Sequence, residues 1–245
     1  MASDNGVFRI ATWNLQSCSR GIHRVANELR NIDADIVLFQ EVDRGTRRSG
    51  RVDQVAMLAQ LAHYPHHNFF HAIEWDEVGS YGLAMISRHP LSDLRTVQLP
   101  IERSTEPRVL GTALVHTPHG AIRTGVTHLS HRPFERSLRI RQIARIHEAL
   151  DGGSEPLLLA GDFNDLPNSE PHRAVTSRYR DLFDAAGEGD AGTHPFAPGI
   201  TLRIDYVFGC HRVRPHRTRV HNTTASDHHA LVSDISFANE ARVAS

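Results

Sequence analysis

The sequence holds only two cysteines, Cys18 and Cys210, in 245 residues. Two widely spaced thiols make no disulfide framework and no CxxC metal site, so both are expected to be reduced. Net charge is equally scarce: 27 Lys and Arg stand against 28 Asp and Glu, a formal charge of −1. No overall basic field advertises a nucleic-acid partner. No run approaches the roughly 20 apolar residues of a membrane span, and the opening MASDNGVFRI lacks a basic stretch followed by an apolar one. These absences point to a soluble, cytoplasmic protein without membrane insertion. Composition shows no break, no solenoid-like repeat and no low-complexity tract, so one domain is expected over residues 1–245, with its core at about 7–237. At 40% hydrophobic residues the chain can bury a full core. Histidine, at 18, is by contrast abundant.

What is present is a set of apolar runs that end abruptly in polar residues. Leu157 to Ala160 runs into Gly161 and then Asp162, Phe163, Asn164 and Asp165. Such a run reads as a strand buried on both faces. Strand alternation puts Asp162 and Asn164 on one face and Phe163 on the other. Val7 to Leu15 reads as the first strand, with Thr12 and Asn14 opposite Ala11, Trp13 and Leu15. Ile36 to Phe39 ends in Gln40 and Glu41, and a carboxylate at the tip of a core strand is costly to desolvate unless it is paired or holds a cation. Tyr81 to Arg88, Leu91 to Leu99 and Val109 to His116 read as an antiparallel meander, followed by a strand from Ala121 to Leu129 that carries His128. Arg203 to Phe208 alternates, with Ile204, Tyr206 and Phe208 inward and Asp205 on the opposite face, and Asp227 and His228 precede a last strand, Ala230 to Ile235.

Helices are expected where apolar residues recur at helical spacing: Ile22, Val25, Ala26 and Leu29; Val52, Val55, Ala56 and Ala59; Pro133 to Leu150; and Ser169 to Ser177. Gly187 to Gly199 reads as a long loop. The four histidines of HYPHHNFFH, 63–71, match no standard zinc spacing. Arg44, Arg47, Arg48 and Arg51 follow Glu41 closely, and guanidinium forks suit phosphate oxygens, although a solvated loop would carry the same residues.

If the strand tips converge, Glu41, Asp162 and Asp227 would repel one another, and a divalent cation is the simple remedy. An oxygen-rich set without cysteine favours Mg²⁺ or Mn²⁺ over zinc. TWN at 12–14, QE at 40–41, THL at 127–129, GDFN at 161–164, RIDY at 203–206 and SDH at 226–228 resemble, in order, the motifs of the endonuclease/exonuclease/phosphatase superfamily. That superfamily includes DNase I-like nucleases, abasic-site endonucleases, sphingomyelinases and inositol polyphosphate phosphatases. Each motif is weak alone, but six in one order are specific, and they span about Phe8 to Val232.

The resemblance implies an α+β fold, a four-layer α/β/β/α sandwich of two mixed β-sheets, with the active site at one edge. It implies Glu41 as the main metal ligand, Asn14 beside it, and Asp227 supporting that metal or a second. Asp162 would orient or deprotonate the attacking water, and Asn164 would hold that water or a phosphoryl oxygen. His228, oriented by Asp205, would hydrogen-bond the phosphate, and His128 would donate to the equatorial oxygens; the motif leaves either Asp162 or His228 as the base. Tyr81, with Gly82, matches the strand that faces the phosphate in the family.

The implied activity is metal-dependent hydrolysis of a phosphate ester by in-line attack of water. A near-neutral chain without a Lys/Arg run interleaved with aromatics favours a small or short phosphodiester over a nucleic-acid duplex. A DNA or RNA nuclease stays open, because Arg103, Arg108, Arg132 and Arg136 could join the 44–51 loop along one cleft. So does a phosphomonoesterase. The reading from another class is a catalytically silent phosphate-binding or interaction scaffold, whose mark would be a lost acidic tip; every expected tip is filled.

Overall fold

Burial of each strand on both faces requires something apolar above and below it, and the chain meets this with three apolar layers. The structure, a computed structural model, describes residues 6–103 and 105–238. In chain order the strands are β1 (Phe8–Asn14), β2 (Ile36–Arg44), β3 (His66–Glu74), β4 (Ser80–Ser87), β5 (Leu91–Gln98), β6 (Val109–Thr117), β7 (Gly120–His128), β8 (Leu157–Asp162), β9 (Arg180–Asp181), β10 (Gly187–Glu188), β11 (His194–Ala197), β12 (Ile200–Leu202), β13 (Asp205–Gly209), β14 (Val213–His221) and β15 (Ala230–Phe237). The helices are α1 (Ile22–Ile32), α2 (Gln54–Leu61), α3 (Arg136–Leu150), α4 (Glu170–Thr176) and α5 (Leu182–Ala186).

One sheet runs β10, β14, β15, β1, β2, β4, β3 and the other β5, β6, β7, β8, β13, β9; β11 and β12 form a separate hairpin. Ile10, Leu38, Met85, Val126, Leu158, Val207 and Leu231 fill the space between the two sheets. Trp13, Val37, Phe39 and Val232 on the far face of the first sheet pack under α1 and α2 through Val25, Leu29 and Leu58. Leu159, Tyr206 and Phe208 on the far face of the second lie under Ile143 and Ile146 of α3 and Val175 of α4. The result is the four-layer α/β/β/α sandwich of mixed sheets, and both cysteines are free.

Several expectations need correction. The stretch from 81 to 116 is not one meander, because β4 pairs with β2 and β3 in the first sheet while β5 and β6 lie in the second. The chain crosses between sheets at 88–90, where Arg88 N–H donates to Asp35 O; alternation alone does not say which neighbour a strand will find. HHNFFH is an edge strand, β3, whose Phe70 is buried against Gly111, and none of its histidines joins a metal-type cluster among the described residues. The 187–199 loop contains β10, β11 and the turn to β12, strands too short to show a period. Asp53 caps α2 by accepting from Ala56 N–H, so Val52 lies outside the helix and Leu58 is buried instead of Ala56. The helix after Pro133 begins three residues later, at Arg136. Both faces of β13 are inward, Val207 facing the other sheet and Tyr206 the helices.

Candidate functional site

β1 runs parallel to β2, and β7 parallel to β8, so the C-terminal tips of all four lie at one edge of the sandwich. β13 and β15 run antiparallel to β8 and β1, which brings their N-terminal starts to the same edge. His128 is in register with Asp162, and Asp162 with Asp205. β8 and β7 approach so closely that a Cβ on Gly161, at φ 148°, would lie 1.9 Å from Thr127 O; only glycine fits there.

Seven of the expected residues gather in one cluster of hydrogen bonds and close charged contacts. Gln16 N–H donates to Asn14 Oδ1 at 3.1 Å, which turns the Asn14 amide so that Nδ2 donates to Glu41 Oε1 at 3.0 Å and Asp162 Oδ2 at 3.2 Å. His128 Nε2 and His228 Nε2 lie 3.5 and 3.9 Å from Asp162 Oδ2. His228 Nδ1 pairs with Asp205 Oδ2 at 2.8 Å. Asn164 sits beside Asp162, but not by strand alternation. It is left-handed at φ 51°, its N–H donates to Asp162 Oδ1 at 2.9 Å, and its side-chain amide donates to Leu129 O.

Glu41 reaches the cluster through a bulge. Strict alternation would point it with Phe39 into the helix layer, but the register with β4 shifts between Phe39 and Val42 and Glu41 adopts φ 56°. A bulge re-aims a side chain, here onto the Asn14 side. Asp227 is joined through Ser226, whose hydroxyl is 3.1 Å from Asp227 Oδ1 and bonds Asn14 O at 2.7 Å. The His228 carbonyl accepts from the buried Trp13 indole N–H at 3.0 Å. Trp13→Phe removes that bond and part of a fully buried ring, and is expected to cost about 2–4 kcal/mol in urea unfolding, from the lost bond and the cavity together; an unchanged midpoint and slope would show that neither contributes.

Of the loop arginines, only Arg48 stands by this cluster. It forks onto the buried Asp43 at 2.7 Å and lies over Trp75, 3.6 Å from the ring centroid, and near Tyr81. Tyr81 is buried beside the Glu41 field. Arg44 pairs with Asp53 at 3.1 Å and Arg47 with Glu77 at 2.5 Å, while Arg51 is exposed.

Two partners lie outside the motifs: Arg108, read in the sequence only as an arginine that could line a cleft, and His194, which had no signal there. Arg108 is 5% exposed; Nη1 is 3.0 Å from His128 Nδ1, Nη2 3.2 Å from His131 Nδ1, and Glu106 Oε1 lies 2.9 Å away. A guanidinium only donates, so His128 Nδ1 must be a lone pair and the ring proton sits on Nε2, facing Asp162. The β6–β7 pairing, Leu110 with Thr127, places residue 108 next to His128. His194 stacks on His228 with centroids 4.4 Å apart.

Burial, Arg108, His228 and His131 hold His128 well below its ordinary value, so it is neutral. Burial and the charge of Asp205 push Asp162 up to about 7. Burial lowers His228, but the charge and hydrogen bond of Asp205, with Asp162 and Asp227, outweigh it and raise His228 to about 10. Burial also raises Glu41, against the Asn14 hydrogen bond. Glu41, Asp162, Asp205 and Asp227 bring four carboxylates to one edge, an oxygen-rich set that fits a hard divalent cation, whereas the protonated His228 has no lone pair to offer one. The cluster of His172, Asp181 and Asp184 differs: Arg203 reaches Asp181 at 3.1 Å and Asp184 at 2.7 Å, which already supplies the positive charge.

A groove of about 810 Å³ lies at the opposite end of the second sheet, and the site residues do not line it. Its Arg95 and Arg123 both pair with Asp93, so they are committed. Chemistry is therefore placed at the strand tips by the charges and hydrogen bonds, not by cavity size.

Comparisons with known proteins agree with this geometry. A profile of the Endonuclease/Exonuclease/phosphatase family matches residues 11–228. The uncharacterized protein YbhP of Escherichia coli K12 is 26% identical over 220 residues, covering 82% of this chain and 84% of YbhP. The crystal structure of an endonuclease/exonuclease/phosphatase from Beutenbergia cavernae superimposes with a TM-score of 0.82 at 24% identity, over 96% of this chain and 72% of that one. The human Nocturnin catalytic domain, solved with a bound sulfate anion, superimposes with a TM-score of 0.75 at 19% identity, over 97% and 96% of the two chains.

Proposed function

The chain belongs to the endonuclease/exonuclease/phosphatase family, and from that premise we propose that it is a divalent-metal-dependent phosphoesterase, acting as one catalytic domain on a small or short phosphodiester. The observation that carries this reading is the Asp205–His228 pair facing Asp162, with the Asn14 amide bridging Asp162 to Glu41. Bound by Glu41 and Asp227, a Mg²⁺ or Mn²⁺ ion would supply Lewis-acid charge to a non-bridging phosphoryl oxygen.

The residues of the chain divide the remaining work. His228 is held protonated by Asp205, so it donates to the phosphate and cannot take a proton near neutral pH. Asp162, pushed to about 7, is the group that can accept a proton from water at that pH. Neutral His128 offers Nε2–H to an equatorial oxygen as charge develops. Asn164 positions Asp162 through its backbone N–H, and Asn14 orients both carboxylates. The commitment of Arg44, Arg47 and Arg48 to carboxylates leaves few free cations to track a nucleic-acid backbone, which supports a small substrate.

The test is parallel turnover of bis-p-nitrophenyl phosphate, p-nitrophenyl phosphate and single-stranded DNA with Mg²⁺ or Mn²⁺, before and after chelation. Diester hydrolysis that stops on chelation is expected, with the monoester and DNA turned over more slowly. Faster cleavage of DNA or of the monoester would overturn the substrate assignment, and no turnover of any ester would overturn the activity.

A further inference from the structure

Large apolar side chains left in water are unevenly distributed over this molecule. Nine are exposed among the described residues, and seven of them stand at the site edge, five on loops and two on the β11–β12 hairpin. Trp75 and Val78 lie in the β3–β4 turn, beside the Arg44–Ser80 pairing that ends β2. Ile101 lies between β5 and β6, past their Gln98–Val109 end. Phe134 follows His128 by six residues and is 98% exposed; Leu166 follows Asp162 by four. Phe196 and Ile200 flank the tip of the β11–β12 hairpin, whose base is fixed to the site by Thr193 O, which accepts from His229 N–H, and by His194 on His228. The remaining two, Val7 before β1 and Leu94 in mid-β5, lie away from that edge.

We propose that this rim docks the site edge on a lipid–water surface, so that the phosphodiester is the headgroup linkage of an amphiphile. The inference rests on the hydrolase reading above and names its substrate class. Three features select a lipid surface. The apolar side chains stand on four separate loops and one hairpin with polar residues between them. A protein partner buries a contiguous patch, whereas a fluid surface accepts side chains one at a time. Four of the seven, Val78, Ile101, Leu166 and Ile200, have no ring and cannot stack on nucleic-acid bases. The most exposed ring, Phe134, is flanked by exposed Arg132 and Arg136, and the same edge carries exposed Arg51. An aromatic ring below the surface with guanidinium groups at the level of lipid phosphates is the chemistry of interfacial anchoring.

The experiment is co-sedimentation of the full chain with vesicles of phosphatidylcholine and phosphatidylglycerol. It compares the wild type, the double variant Phe134→Ser/Phe196→Ser, and Val7→Ser as a control at the opposite edge. Turnover of soluble bis-p-nitrophenyl phosphate is measured on all three. The expected result is vesicle binding by the wild type and Val7→Ser, a loss of at least about tenfold in the double variant, and equal soluble turnover in all three. A wild type that hydrolyses the soluble diester but stays in the supernatant would overturn the docking proposal and leave the hydrolase reading intact. Vesicle binding without any turnover would overturn the hydrolase reading, and with it the assignment of an amphiphile as substrate. Binding to single-stranded DNA but not to vesicles, abolished in the double variant, would overturn the proposal in favour of a nucleic-acid rim.

Discussion

Replacing Asp162 by Asn is expected to lower kcat by about 10²–10⁴, the range for loss of a positioned general base. Asp162 is 1% exposed; Oδ1 accepts from Asn164 N–H and Oδ2 from the Asn14 amide. An Asn amide must point its NH₂ at one of those donors, so the variant loses the base and one hydrogen bond together. The pH profile separates this role from a structural one. In the proposed mechanism the acting form of Asp162 is the carboxylate, present above about 7, and that of His228 the imidazolium, present below about 10. Wild-type kcat should therefore climb to neutrality and fall toward pH 10, and the Asn variant should lose the acidic limb. If the acidic limb survives in Asp162→Asn, another group is the base.

The same two groups set a sign for stability in chelator. Both are raised on folding, so the folded chain holds their protons more tightly than the unfolded chain does. For Asp162 the contribution is complete below its ordinary 3.8 and is lost as pH rises through about 7. For His228 it is complete below its ordinary 6.5 and is lost as pH rises through about 10. Urea midpoints should thus be lower at pH 9 than at pH 6, and a midpoint that rises would contradict the assignment.

Arg108→Met is expected to lower kcat by about 10²–10³, the cost of one preorganised donor, and to destabilise the fold by about 3–5 kcal/mol, the cost of breaking a buried pair. Arg108 holds His128 as the Nε2–H tautomer and offsets Glu106. Without it, the ring proton can move to Nδ1 and no longer face the substrate. Nitrogen chemical shifts of His128 read the tautomer directly, and they are insensitive to a general loss of stability. Arg108→Lys keeps the charge but not the fork that spans His128 and His131, so part of the stability should return and less of the rate. A His128 that stays protonated at Nε2 in Arg108→Met would show that the guanidinium does not choose the tautomer.

The core strands β1, β2, β7, β8, β13 and β15 were legible in the sequence because their signal is local, whereas the half-exposed β3 and β14 were not read as strands. An apolar run such as Leu157 to Ala160 needs cover on both faces whatever surrounds it, and alternation sends Phe163 to the helix layer, where it packs edge-on against Phe208. The polar tips Asn14, Glu41, His128, Asp162, Asp205 and His228 were legible for the same reason: a costly group at the end of a buried run has to be used or paired. The order of the motifs supplied the fold.

Other features were decided only by tertiary structure. Glu41 faces the site because a bulge against β4 breaks the alternation that would have buried it under α2. Arg108 became the partner of His128, and His194 the neighbour of His228, through contacts between residues about 20 and 34 positions apart. β4 left the expected meander for the other sheet. The physical division is one of range: side-chain period and the cost of burying a charge are properties of a few consecutive residues. Strand neighbours, bulges, and the guanidinium that meets a given imidazole are chosen by packing the whole chain, which no local pattern encodes.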